Sequence, residues 1–287
     1  MCGLFGWVAP EALNENQSRQ SIDACFKVMH GRGPDDKGLL IHSRARGWST
    51  VDNLKGADTV LGHLRLSILD LSPRGHQPMS SADGRYRIVY NGEVYNFKEL
   101  KVELELEGHV FKSDTDTEVV LKALTHWGLS TLTRFVGMFA IVLHDDLEKK
   151  VYLIRDFFGI KPLFYVKNES GMFGFASELP AIINLPEVKK KVNPQRLYDY
   201  LLFGDYDSSS ETMIEGVKHV LPGHYMVIDS ITANIIEETR YWKPELGVIE
   251  QLSFTDSAEK LRTQFLDSVR LQLRSDVSLG VTLSGGI

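Results

Sequence analysis

Phe139-Ala140-Ile141-Val142-Leu143-His144, Lys150-Val151-Tyr152-Leu153-Ile154-Arg155, Leu163-Phe164-Tyr165-Val166 and Met172-Phe173-Gly174-Phe175-Ala176 follow one another closely in the chain. Each is a short run rich in β-branched or aromatic residues, and turn residues such as Asp145-Asp146 and Asn168-Glu169-Ser170-Gly171 separate them. Strands therefore come in runs and do not alternate with helices, which predicts an α+β layered fold with mostly antiparallel sheets.

Towards the N-terminus the same reading predicts a strand over Gly3–Val8 and a helix ending at Met29. The loop Gly31-Arg32-Gly33-Pro34-Asp35-Asp36-Lys37-Gly38 follows, too rich in Gly and Pro for a regular element. Further strands are expected over 38–43, Thr59–Arg65 and 85–90, and a helix over 96–108. Thr115 and Glu118 stand three apart before Val119-Val120-Leu121, the spacing of a capping box, so a helix should begin there and end near Gly128. Ile22, Cys25, Phe26 and Met29 share one helical face, which makes Cys25 a core residue.

The pattern changes after about residue 205. Residues 204–210 are polar and turn-rich, and His224–Asp229 with 234–237 reads as a hairpin. A helix over 257–273 precedes an apolar strand over 277–283 and Ser284-Gly285-Gly286, the order in which an α/β nucleotide-binding domain starts. The expected organisation is one domain over 2–205, a connecting segment with a hairpin over 206–250, and the start of a second, uncompleted domain over 251–287.

Composition narrows the function. Of 287 residues, 43% are hydrophobic and 24% charged, far from the signature of disorder. The 32 basic and 38 acidic residues leave a net charge of −6 without a long single-sign block, so neither nucleic acid nor a membrane surface is an expected partner. No apolar run approaches the roughly 20 residues that span a bilayer, and the opening residues lack the basic region of a signal peptide, so a soluble cytoplasmic protein is expected. Only Cys2 and Cys25 are available as thiols, which argues against a disulfide framework and offers a free nucleophile.

Cys2 is the sharpest feature. Removal of Met1 would leave its thiol beside a free α-amine with a pKa of about 8, a general base that needs no separate histidine. Asn91-Gly92 lies between an apolar run and Glu93-Val94-Tyr95; Asn-Gly there is the leading hairpin signal, and on these residues alone the turn is preferred. The other reading is an oxyanion hole, formed by the Asn91 amide and the Gly92 N–H. Arg65 sits in an apolar strand, where its fork could grip a carboxylate or simply face outward. Asp116 could hold an ammonium group or serve only as a first-turn acid.

Together these residues resemble a family. Cys2-Gly3-Leu4-Phe5-Gly6, Arg32-Gly33-Pro34-Asp35, Arg65-Leu66-Ser67-Ile68, Tyr90-Asn91-Gly92-Glu93-Val94-Tyr95-Asn96 and Ser113-Asp114-Thr115-Asp116-Thr117-Glu118 resemble, in order, segments of class II glutamine amidotransferases. The asparagine synthetase branch is the most similar, through Arg155-Asp156-Phe157-Phe158-Gly159-Ile160-Lys161-Pro162-Leu163, Phe175-Ala176-Ser177-Glu178 and Leu221-Pro222-Gly223-His224-Tyr225. Gly31 departs from the histidine usual there, and the sequence stops before the Asp-Ser that would complete a pyrophosphate-binding loop.

The resemblance implies a four-layer αββα sandwich of the N-terminal-nucleophile hydrolase type, followed by the first elements of an incomplete α/β nucleotide-binding domain. It implies glutamine as substrate, Cys2 as nucleophile, and Asn91 and Gly92 as the oxyanion hole, in the ammonia-supplying half of an asparagine synthetase; the alternatives are another acceptor, such as a sugar or surface-polymer precursor, or a non-catalytic domain that binds glutamine. Arg65 would hold the substrate carboxylate, and Asp116 with the backbone near Gly92 and Glu93 its amine. No metal or cofactor is expected for glutamine hydrolysis. ATP and Mg2+ belong to a complete synthetase domain, toward which Ser284, Gly285 and Gly286 would contribute. A homodimer stays open as an assembly.

Overall fold

A computed structural model of the chain describes residues 1–50, 53–206, 208–245, 247, 251–281 and 285. In chain order the elements are β1 (Gly3–Val8), α1 (Glu15–Met29), β2 (Asp36–Ser43), β3 (Gly47–Ser49), β4 (Thr59–Arg65), β5 (Met79–Ser80), β6 (Tyr86–Val94), α2 (Phe97–Leu106), α3 (Asp116–Trp127) and β7 (Gly137–Asp145). They continue as β8 (Lys150–Arg155), β9 (Phe164–Lys167), β10 (Phe173–Ala176), α4 (Leu179–Ile182), α5 (Pro194–Phe203), β11 (Val217–His219), β12 (His224–Asp229), β13 (Ile235–Arg240) and α6 (Phe254–Gln272).

Among the described residues the strands form two sheets in which every pairing is antiparallel, ordered β11-β9-β10-β1-β4-β2-β3 and β13-β12-β8-β7-β6-β5. Three apolar clusters mark three interfaces between four layers. Phe5, Trp7, Val60 and Leu64 pack with Ile22, Cys25 and Met29 of α1 and Ala181 and Ile182 of α4. Leu4, Val8 and Leu61 meet Val89, Ala140, Val142 and Leu153 between the sheets. Ile88, Tyr90, Ile141 and Leu143 meet Leu100 and Leu104 of α2 and Val120 and Leu124 of α3. Side chains alternate across a strand, so neighbours on one strand serve two cores. The result is the expected αββα sandwich, with Cys25 buried in its outer core.

Local signals place several elements well. The Thr115 hydroxyl accepts from the Glu118 N–H as the N-cap of α3, and Gly128 follows the helix at φ 67°. The box is only half closed: the Glu118 carboxylate turns instead to the N–H groups of Lys112 and Ser113. No helix is long and apolar enough to cross a membrane among the described residues.

Three expectations fail. Asn91-Gly92 is not a hairpin turn: β6 runs straight through it, with Asn91 opposite Ala140 and Gly92 opposite Phe139. A two-residue Asn-Gly hairpin needs positive φ at both residues, and neither has it; a nine-residue ladder to β7 holds the strand extended. The 206–250 segment is not a connector either. Its hairpin of β12 and β13 extends the second sheet from β8, and Met226 and Ile228 fill the space between the sheets, so burial draws it into the first domain. Finally, residues 277–281 form no strand, in keeping with the weak stability of a strand that has no paired neighbour. Residues 282–283 of that expected strand, with Ser284 and Gly286, lie outside the described residues, while Gly285 has φ 121°.

Candidate functional site

Alternation within three strands decides where the polar residues go. On β4 the inward set that includes Leu61 continues as His63 and Arg65; on β6 the set that includes Val89 continues as Asn91 and Glu93. Cys2 precedes β1 with the parity of inward-facing Leu4. At one end of the sandwich the apolar filling between the sheets thus gives way to these side chains. They open into a single pocket lined by Cys2, Arg65, Asn91, Gly92, Glu93 and Asp116, all six side chains or backbones expected there.

The second sheet supplies a backbone donor. Phe139 N–H donates to Asp156 Oδ2 and its carbonyl accepts from Asp156 N–H, so Phe139 bonds away from β6 and the Gly92–Phe139 pair is a non-hydrogen-bonded one. Alternate N–H groups of β6 therefore point to its far edge, which β5 covers only as far as Ile88. Beyond it, Tyr90 N–H donates to Gln77 Oε1 at 2.6 Å and Val94 N–H to Asp116 Oδ2 at 3.1 Å. Gly92 N–H lies between those two on the same edge and faces the pocket. The Asn91 side chain adds a second donor: its Nδ2 is buried and, among the described residues, has no hydrogen-bond partner. An unpaired buried amide N–H costs about 1–3 kcal/mol, which marks the position as one kept for a ligand.

Cys2 is held between both chain directions. Its Sγ accepts from Leu66 N–H at 3.3 Å, and its carbonyl accepts from Arg32 Nε at 3.0 Å. Arg32 is in turn paired with Glu178 at 3.4 Å. Gly33 follows because a Cβ there would sit 2.4 Å from the Leu64 carbonyl, whereas at Gly31 nothing lies within 4 Å; the departure at Gly31 leaves this anchoring intact. Burial pushes the Cys2 thiol up, with the Leu66 N–H pulling the other way. Burial also lowers the terminal ammonium, which is on Met1 and lies in the same pocket, and Arg32 and Lys161 add to that effect.

Arg65 lies 6% exposed, with Nη1 donating to Ser72 O at 2.9 Å and Nη2 to Leu69 O and Asp70 O at 3.0 and 2.5 Å. Those carbonyls fix the plane of the fork at the pocket wall. Gly75 makes room for it, since a Cβ there would fall 2.0 Å from Nη2. Asp116, at the start of α3, accepts from Tyr90 Oη at 2.8 Å as well as from Val94 N–H. Burial raises its carboxyl to about 6 against those two hydrogen bonds.

Lys161 is a site residue that sequence reasoning did not single out. Only 4% exposed, it lines the pocket near Glu93 and Cys2, and burial lowers its ammonium while Glu93 opposes that. The signal was its place in the segment Arg155 to Leu163. Asp156 accepts from the N–H groups of Phe158, Ile160 and Lys161, and Arg155 donates to the carbonyls of Gly159, Lys161 and Val220. That loop aims Lys161, and Leu221-Pro222-Gly223 closes over it through Gly223 N–H to Asp156 O. Among the described residues no group of three or more His, Cys, Asp or Glu side chains gathers as a metal site.

A sequence profile described as "Glutamine amidotransferase domain" matches residues 1–242. The chain belongs to that family. The matched span ends after β13, in agreement with the sheet membership of the hairpin. The whole chain is 33% identical over 290 residues to the Bacillus subtilis protein named asparagine synthetase [glutamine-hydrolyzing] 3, covering 44% of that protein. It is 34% identical over 306 residues to the putative asparagine synthetase [glutamine-hydrolyzing] of Mycobacterium tuberculosis (strain ATCC 25618 / H37Rv), again covering 44%. The chain thus spans less than half the length of these relatives. The solved glutamine phosphoribosylpyrophosphate amidotransferase from B. subtilis superposes with a TM-score of 0.58 over 85% of this chain and 50% of that one, at 16% identity, a likeness of fold.

Proposed function

We propose that this amidotransferase domain hydrolyses glutamine to glutamate and ammonia through a thioester on Cys2. The observation that carries the reading is the buried Asn91 Nδ2, without a hydrogen-bond partner among the described residues, on the same pocket as the Cys2 thiol. Arg65 takes the substrate α-carboxylate with the part of its fork that the 69–72 carbonyls leave over, and Asp116 and Glu93 take the α-ammonium. The side-chain amide is then left facing Cys2.

Loss of Met1 frees the Cys2 α-amine, which accepts the thiol proton. Sulfur attacks the amide carbon, and the oxygen that gains charge is met by Asn91 Nδ2 and Gly92 N–H, donors already in place before the reaction. The C–N bond breaks as the α-ammonium returns its proton to the leaving nitrogen, giving ammonia. Water, deprotonated by the same amine, hydrolyses the thioester to glutamate and restores the thiol.

The names of the relatives support a further reading, that in a longer protein the ammonia goes to aspartate activated by ATP with Mg2+, giving asparagine. Ser284, Gly285 and Gly286 would belong to the phosphate-binding turn of that second domain.

The test is a glutaminase assay with intact-mass measurement on the same preparation. Active protein should begin at Cys2, and Cys2→Ala should be inactive. Asn91→Ala should fold and lose about 2.7–4 kcal/mol of transition-state stabilisation in kcat. Near-normal turnover in that variant would remove Asn91 from the chemistry, and an active preparation that keeps Met1 throughout would sink the proposed base.

A further inference from the structure

The segment that leaves α6 is tied to two stretches that flank the pocket, the start of α2 just past β6 and the loop that follows β4. On one side Arg274 donates to both carboxylate oxygens of Glu99 in α2, at 2.6 and 2.5 Å, and to Tyr95 O at 2.6 Å, two residues past Glu93. On the other side Asp276 N–H donates to Ile68 O at 3.0 Å, and Asp276 Oδ2 accepts from Asp70 N–H at 2.8 Å. Val277 follows and lines a cavity shared with Arg65, Ser67 and Ser72.

Asp70 is the node of this arrangement. It has φ +46°, a conformation that costs a non-glycine residue energy and persists only where its surroundings enforce it. Its side chain accepts from Ser72 N–H and from Asp114 N–H, at 3.1 and 3.0 Å. Its carbonyl, with those of Leu69 and Ser72, holds the Arg65 guanidinium. A continuous run of hydrogen bonds therefore leads from Asp276 through Asp70 to Arg65.

We propose that Arg274 and Asp276 are positioning residues that brace the 69–72 loop, and so set the affinity for glutamine through Arg65 without touching it. The inference rests on the reading of the pocket as a glutamine site. The two arms are unequal. Glu99 is half exposed, and a surface ion pair contributes little. The Asp276–Asp70 bond has a charged acceptor, is partly buried and acts on a strained backbone, so it carries the greater share.

The experiment compares the full chain with Asp276→Ala, Asp276→Asn and Arg274→Ala, with glutamine kinetics and amide hydrogen exchange over residues 66–72. Asp276→Ala should raise KM for glutamine about tenfold while kcat stays within about twofold, the pattern of lost uniform binding. The Asp70 amide should exchange faster in the same variant. Asp276→Asn keeps an oxygen that accepts from Asp70 N–H, and both readouts should stay near those of the parent. Arg274→Ala should raise KM by less than Asp276→Ala. An unchanged KM in folded Asp276→Ala overturns the proposal, even with faster exchange, and so does a loss confined to kcat. Should the parent chain hydrolyse no glutamine, the amidotransferase reading fails on its own. The exchange comparison then still decides the brace: unchanged protection of Asp70 overturns it, and lost protection supports it.

Discussion

His63 Nε2 lies 3.0 Å from the carbonyl oxygen of Tyr90, and this contact joins the strand that carries Arg65 to the strand that carries Asn91. Burial lowers the His63 imidazole to about 4, so it is neutral in use. The Tyr90 carbonyl can only accept, which assigns the proton to Nε2. The bond falls on the peptide unit that leads into Asn91, while Cys2 is held by Leu66, just past the end of β4. One imidazole therefore helps to set the distance between the nucleophile and the oxyanion donors.

Replacing that imidazole should separate stability from positioning. His63→Leu leaves the Tyr90 carbonyl buried without its donor, a cost of about 1–3 kcal/mol of stability, and allows β6 to shift. The expected outcome is a lowered Tm and a fall in kcat larger than any rise in KM. His63→Gln offers an N–H at a similar reach and should recover much of kcat. Equal kcat in both variants, measured at a temperature where both are folded, would show that the contact serves only stability.

A second variant addresses binding. Arg65→Lys keeps the charge but loses the planar fork that the carbonyls of Leu69, Asp70 and Ser72 hold in place. A lysine ammonium cannot serve those three carbonyls and a substrate carboxylate at once. KM for glutamine should rise by roughly tenfold or more, with a smaller change in kcat. An unchanged KM in steady-state assays would mean that the carboxylate is bound elsewhere.

Strands bounded by turn residues were legible to the residue: Gly3–Val8, Thr59–Arg65, Lys150–Arg155 and His224–Asp229 stand as expected. What failed depends on partners distant in the chain. Asn91-Gly92 has the same local chemistry as a hairpin, and only the β7 ladder opposite it decides for strand. The hairpin of β12 and β13 is visible locally, but its place beside β8 is a matter of burial between sheets. β3 and β5 are too short to carry a periodic signal, and they matter because the shortness of β5 leaves the Gly92 edge open. For the site, Cys2, Arg65, Asn91, Gly92, Glu93 and Asp116 came from the resemblance of their segments to one family, while Lys161 and His63 take their importance from what packs around them.

The pH dependence of glutamine recognition follows from Asp116. Burial raises its carboxyl to about 6, against hydrogen bonds from Tyr90 and the Val94 N–H. Glu93 is raised in the same direction by burial, with Lys161 opposing. Only the ionised carboxylate attracts an ammonium group, so affinity should be full above a pH of about 6 and should fall as pH drops through that value. Binding an ammonium favours the charged form, which moves the transition in the complex to lower pH. The cleanest measurement is calorimetric titration of glutamine into Cys2→Ala, where neither a pocket thiol nor turnover complicates the profile. Kd should rise as pH falls from 7.5 to 5, by up to about tenfold per unit below the carboxyl pKa. In Cys2→Ala with Asp116→Asn, binding should be weaker at pH 7.5 and nearly level with pH apart from the smaller contribution of Glu93. A Kd independent of pH in Cys2→Ala, or the same slope with and without Asp116, would mean that this carboxylate does not hold the substrate amine.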